Sequence, residues 1–93
     1  MFEWSDEKDL WLRKERGIGF QDILFHVQKG DLLLIGAHPN QEKYPGQKIL
    51  YVCVDQYVYL VPYVESKGVK FLKTIIPSRQ ATKRLLKEES DEI

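Results

Sequence analysis

Cysteine is all but missing from this chain, and the single Cys53 among 93 residues rules out an internal disulfide. No covalent framework can therefore stand in for a hydrophobic core. Histidine is almost as scarce: the only thiol and imidazoles, His26, His38 and Cys53, have no recognised metal-ligand spacing, so neither a metal nor any other cofactor is expected. No apolar run approaches the roughly 20 residues of a membrane-spanning helix. The opening residues include Glu3, Asp6, Glu7 and Asp9 where a secretory leader would be basic and then apolar. Val52 and Val54 place Cys53 in an apolar strand, and a lone buried thiol suits a reducing compartment, so a cytoplasmic location without membrane contact is expected. Glycine and proline are sparse and occur as punctuation, without a repeat or a low-complexity linker.

What remains has the composition of a globular domain, with 43% hydrophobic and 30% charged residues. A chain of this length supports one core, so residues 1–93 are expected to form a single domain. The formal net charge is zero, but its distribution is uneven. Lys67, Lys70, Lys73, Arg79, Lys83, Arg84 and Lys87 follow one another without an intervening acid, and Glu88, Glu89, Asp91 and Glu92 come after them. An acid-free basic stretch of this kind favours a phosphate-bearing or acidic partner.

The spacing predicts an α+β protein. Ser5 can cap a helix over residues 6–16, with Gly17 ending it in the left-handed conformation. Phe20, Ile23, Leu24 and Val27 share one helical face and predict a second helix over residues 20–29. β-branched and aromatic runs then predict four strands, over residues 31–37, 47–54, 57–64 and 69–76. The short connections at Asp55-Gln56 and Ser66-Lys67-Gly68 make the last three an antiparallel meander. Pro62 interrupts the third strand and predicts a bulge or a locally unpaired edge. Ser78 caps a last helix over residues 78–88, in which Ala81, Leu85 and Leu86 should dock while Arg79, Lys83 and Lys87 line another face.

Two stretches carry a resemblance. Phe2-Glu3-Trp4 with Lys8, then Lys14-Glu15-Arg16-Gly17-Ile18-Gly19-Phe20, resembles the opening of the BrnT family of bacterial toxins, and Ile75-Ile76-Pro77-Ser78-Arg79 with Ala81 and Thr82 resembles its ending. The resemblance implies a RelE-like ribonuclease fold and the toxin half of a toxin–antitoxin pair. It also implies cleavage of RNA, in particular mRNA, whether on the ribosome or free of it, and neutralisation by a small cognate antitoxin protein. Lys48 and Arg79 match the family's basic positions.

Metal-independent RNA cleavage needs a base for the ribose 2′-OH, a cation for the phosphate and an acid for the leaving oxygen. Arg79 is the first candidate, as a guanidinium that can hold two phosphate oxygens. Lys48 and Lys83 follow as further cations, and His38 as the acid or base. Lys70, Lys73, Arg84 and Lys87 are candidate RNA-backbone contacts. Tyr59 is a candidate base-stacking residue, although its strand face, shared with Tyr57 and Tyr63, suits core packing as well. The same basic surface would also serve a non-catalytic RNA-binding or protein-interaction module.

Overall fold

The computed structural model describes residues 1–86; the acidic end, the outer limit of the last helix and the candidate Lys87 lie outside the described residues. Three helices and a six-stranded mixed sheet make an α+β fold: β1 (Phe2–Glu3), α1 (Asp6–Arg16), α2 (Phe20–Gln28), β2 (Leu32–Ala37), β3 (Lys48–Val54), β4 (Tyr57–Ser66), β5 (Val69–Leu72), β6 (Ile76–Pro77) and α3 (Arg79–Leu86).

Local chemistry sets the helix ends. Ser5 accepts the Lys8 N–H at 3.1 Å, Asp6, Glu7 and Asp9 occupy the positive end of the α1 dipole, and Gly17 closes the helix at φ 70°. Asp9 then reaches past its own helix. One carboxylate oxygen accepts the Phe20 N–H at 2.7 Å and the other accepts Arg13 Nε at 3.0 Å, so the α1 side chain caps α2. Gly19 lies against this pair, and a Cβ there would come within 2.8 Å of Asp9 and 2.7 Å of Arg13. A side chain at this position would push the Asp9 carboxylate and the Arg13 guanidinium aside and disturb the cap.

The helical pair covers one face of the sheet. Leu12, Ile18, Phe20 and Ile23 meet Leu50, Val52 and Val54 of β3, Val61 and Tyr63 of β4, and Leu72 and Ile75 beyond them. Trp4 stacks on Phe20 with ring centroids 5.4 Å apart. The strand face that carries Tyr57, Tyr59 and Tyr63 is thus the helix-covered one, and Tyr59 packs against the core from its edge. Burial pushes the Tyr63 phenol above the ordinary tyrosine range, with Lys70 opposing the rise and Glu65 adding to it. The neutral phenol is therefore favoured in the folded state. Its contribution is complete below the unfolded value of about pH 10 and disappears as pH rises through the higher folded value. The melting temperature should fall above about pH 10, and Tyr63→Phe should lessen that fall in a thermal-melt series against pH.

The sheet differs from the four-stranded antiparallel meander that the sequence predicts. Its order is β1-β5-β4-β3-β2, with β6 paired to β4 and β1 parallel to β5. Phe2 and Glu3, outside the four strands that the sequence predicts, pair with Lys70 and Phe71. The expected strand over residues 69–76 breaks after Leu72, and Pro62 explains why. In the β4–β5 register Lys73 falls opposite Pro62 and donates its N–H to the Pro62 carbonyl at 2.8 Å. Proline has no N–H with which to return the bond, so the ladder ends there. Ile75 turns into the core, and Ile76–Pro77 re-pair with Leu60 and Tyr59 as β6.

Of the two alternatives expected at Pro62, the locally unpaired edge is therefore the one found, on the β5 side, while no bulge occurs in the β3–β4 pair, whose register runs unbroken from Lys48↔Tyr63 to Val54↔Tyr57. The irregularity lies in β2, between Leu32 and Leu34. Both hairpin connections after β3 have two residues at positive φ, Asp55-Gln56 at 53° and 64° and Lys67-Gly68 at 53° and 81°, the signature of a type I′ turn. Cys53 is half-buried, short of the full burial expected of it, because its face of β3 is only partly covered.

The last helix starts where the sequence places it. Ser78 Oγ accepts the Ala81 N–H at 3.0 Å, and Ser78 N–H donates to the Val58 carbonyl at 3.0 Å. Thr82 completes the junction: its hydroxyl accepts the Val58 N–H at 2.8 Å and donates to the Ser78 carbonyl at 2.7 Å. Ala81 is buried, Leu85 and Leu86 are half-buried, and Arg79, Lys83 and Arg84 are exposed.

Candidate functional site

The sequence candidates divide between two ends of the sheet. Ala37 pairs with Lys48, and His38 donates its N–H to Gln47, so His38 and Lys48 sit together at one end of the β2–β3 pair. Arg79 follows Ser78, which is bonded to Val58 at the other end. Lys48 is paired with Tyr63 and Cys53 with Val58, so the two places are separated by five residues of β4, about 17 Å at roughly 3.3 Å per residue. The four catalytic candidates therefore form two groups, His38 with Lys48 and Arg79 with Lys83.

The first group surrounds an ordered loop. His38 Nδ1 accepts the Asn40 N–H at 3.0 Å, and the Tyr44 ring lies 4.4 Å from the imidazole. The Gln41 side chain bridges the carbonyls of His38 and Gln47 and accepts the Gly46 N–H. With Nδ1 occupied as an acceptor, the ring proton belongs on Nε2. The β5 lysines lie toward this end of the sheet. Lys70 pairs with Glu65 at 3.4 Å, while Lys73 extends over the Phe71 ring.

The second end holds an arrangement that the sequence reading passed over. Arg16, Gly17, Ile18, Asp22, His26, Val54, Asp55 and Tyr59 line one concavity of about 240 Å³. His26 comes from the last turn of α2, and Asp31 follows the tight turn at Gly30, where φ is 101°. That turn brings Asp31 Oδ2 to 2.7 Å from His26 Nδ1. A carboxylate only accepts, so Nδ1 carries the proton and the neutral ring keeps Nε2 free as a base. Arg16 is anchored by a hydrogen bond to the Ile75 carbonyl and lies 5.4 Å from the Trp11 ring centroid. The guanidinium has further N–H groups to offer. Asp22 also lines the hollow, with one oxygen held by the Gly19 N–H at 2.8 Å.

Tyr59 joins the two features of this end, because it lines the concavity and pairs with Pro77, two residues before Arg79. Of these residues the sequence singles out Tyr59 and Arg79, whereas His26 enters there only as a histidine without metal-ligand spacing and Arg16 only within the family-like opening stretch. The available signal was a histidine in a last helical turn followed by Gly30-Asp31, the spacing with which an aspartate can turn back onto an imidazole.

Among the described residues, no helix is long and apolar enough to cross a membrane, and no three His, Cys, Asp or Glu side chains converge as metal ligands. Fold and site together define an α+β protein with a mixed sheet, an open hollow lined by the His26 of a His–Asp pair, and a last helix with exposed basic side chains packed on β4. No family model, curated protein or solved structure matches the chain.

Proposed function

We propose that this chain is a BrnT-like toxin with a RelE-like ribonuclease fold, a metal-independent endoribonuclease neutralised by a small antitoxin protein. The observation that carries the reading is the concavity in which His26, oriented by Asp31, shares walls with Arg16 and Tyr59. Those are the base, cation and acid that the reaction needs. His26 Nε2 takes the proton of a ribose 2′-OH, and the 2′-oxygen attacks the adjacent phosphorus. The P–O5′ bond breaks, the Tyr59 phenol protonates the leaving 5′-oxygen, and Arg16 offsets the charge that builds on the phosphate. The products are a 2′,3′-cyclic phosphate and a 5′-hydroxyl. Arg79, Lys83 and Arg84, exposed on α3, hold the flanking RNA backbone.

The exposed basic face of α3 by itself supports a second reading, a non-catalytic RNA-binding module. Both readings entail binding that weakens with salt, and only the first entails turnover. Inducible expression should arrest growth, and coexpression of the small open reading frame beside the gene should restore it. Purified protein should cleave RNA in the presence of a chelator, and Arg79→Ala should relieve the arrest with the melting temperature nearly unchanged. Unimpaired growth together with intact RNA after prolonged incubation would exclude the nuclease reading; tight, salt-sensitive binding of that intact RNA would establish the module.

A further inference from the structure

The sheet has one long open edge. Among the described residues, β1 closes the opposite side as a strand of two residues, whereas β2 presents Leu32–Ala37 with a neighbour on one side only. The direction of its free backbone groups follows from the register. His38 N–H donates to Gln47, and the unbroken pairing from Ala37↔Lys48 back to Leu34↔Tyr51 gives Gly36 and Leu34 the same orientation toward β3. Ile35 and Ala37 therefore direct their N–H and C=O groups away from the sheet. Natural edges are commonly guarded by lysine, proline or an inward charge. Between Asp31 and His38 this edge has none, and Leu33, Leu34 and Ile35 are 39%, 38% and 50% exposed.

We propose that this edge is the interface with a second copy of the chain, paired antiparallel about a two-fold axis at Ile35. A two-fold interface requires a surface complementary to itself, and this strand meets that requirement. With Ile35 opposite Ile35 of the other copy, the outward N–H and C=O of each are bonded reciprocally. Leu34 then stands opposite Gly36 of the mate, and Ala37 stands opposite Leu33 at the edge of the bulge. Leu34 and Leu33 thus each meet a small residue. Gly36 is floored by its own Tyr51 and Leu34, whose nearest atoms lie 3.5 and 3.6 Å from where a Cβ would be, so the space above it is bounded by apolar groups. The Ile35 pair forms the β-branched cross-strand contact that stabilises antiparallel ladders. No charged side chain is confined in the paired segment. The proposal is independent of RNA chemistry, since neither the concavity nor α3 belongs to this edge.

Sedimentation equilibrium from micromolar to millimolar concentration tests it. The wild-type chain should approach twice the monomer mass, and hydrogen exchange should show the Ile35 and Ala37 amides protected in the dimer. Ile35→Lys should return the mass to that of the monomer with an unchanged circular dichroism spectrum. Ala37→Pro, which removes an outward N–H without touching the β3 ladder, should do the same and serves if the lysine variant misfolds. A wild-type monomer throughout the range overturns the proposal, as does a dimer that survives the folded variant. Protection of the Ile35 amide only on addition of a different protein overturns it too, in favour of that protein.

Discussion

On the proposed ribonuclease mechanism, replacement of His26 by alanine is expected to lower the RNA-cleavage rate about 100- to 10,000-fold, the usual contribution of a positioned general acid or base. The imidazole is one of two in the chain and is oriented by Asp31 at 2.7 Å, while its other nitrogen remains available for proton transfer. The variant leaves Asp31 without its imidazole partner, and a lost hydrogen bond of this type costs about 1–3 kcal/mol of stability, so cleavage should be measured well below the melting temperature. Asp31→Asn separates chemistry from structure. It can keep a contact to His26 but admits the opposite tautomer, in which Nε2 is protonated and useless as a base. A folded Asp31→Asn protein should therefore bind RNA normally and cleave it slowly. If His26→Ala cleaves as fast as the wild type, the concavity is not the catalytic site, and the His38–Lys48 end of the sheet becomes the place to look.

The largest effect on stability should come from Phe20→Ala. Phe20 is wholly buried, stacks on Trp4 and stands at the α1–α2 junction, where its N–H is capped by Asp9. Removing a buried aromatic ring costs about 3–5 kcal/mol. Against a total stability of about 5–15 kcal/mol for a small protein, that loss would leave the chain close to unfolding. Urea denaturation should show a large fall in midpoint, with Phe20→Leu losing much less. A Phe20→Ala penalty below about 1 kcal/mol would contradict the packing of the helical pair on the sheet.

Much of the fold was legible because local chemistry announces it. Ser5 and Ser78 have hydroxyls where a helix needs acceptors, Gly17 adopts the conformation that closes α1, and the two-residue turns at Asp55-Gln56 and Lys67-Gly68 join strands of matched alternation. The division of α3 into buried Ala81 and exposed Arg79 and Lys83 likewise follows from helical spacing. The face that Tyr59 shares with Tyr57 and Tyr63 follows instead from the strand period of two. Strand periodicity could not show that Phe2 and Glu3 join the sheet, because two residues carry no alternation to read. Nor could it show the break after Leu72, which depends on Lys73 arriving opposite a residue without an N–H.

The candidate site was less legible for a related reason. The acid-free basic stretch is continuous along the chain, yet Lys70 and Lys73 belong to one end of the sheet and Arg79, Lys83 and Arg84 to the other. Arg16 and His26 stand ten positions apart on different helices, and their common hollow is created by the packing of those helices beside β4 and the Asp55 turn. Caps, turns and amphipathic faces involve groups within a few residues of one another, so the chain's own order specifies them. Which strand ends the sheet, which imidazole receives a carboxylate and which cation faces the same cavity depend on distances across the sheet, and those are settled only when the core closes and the register is set.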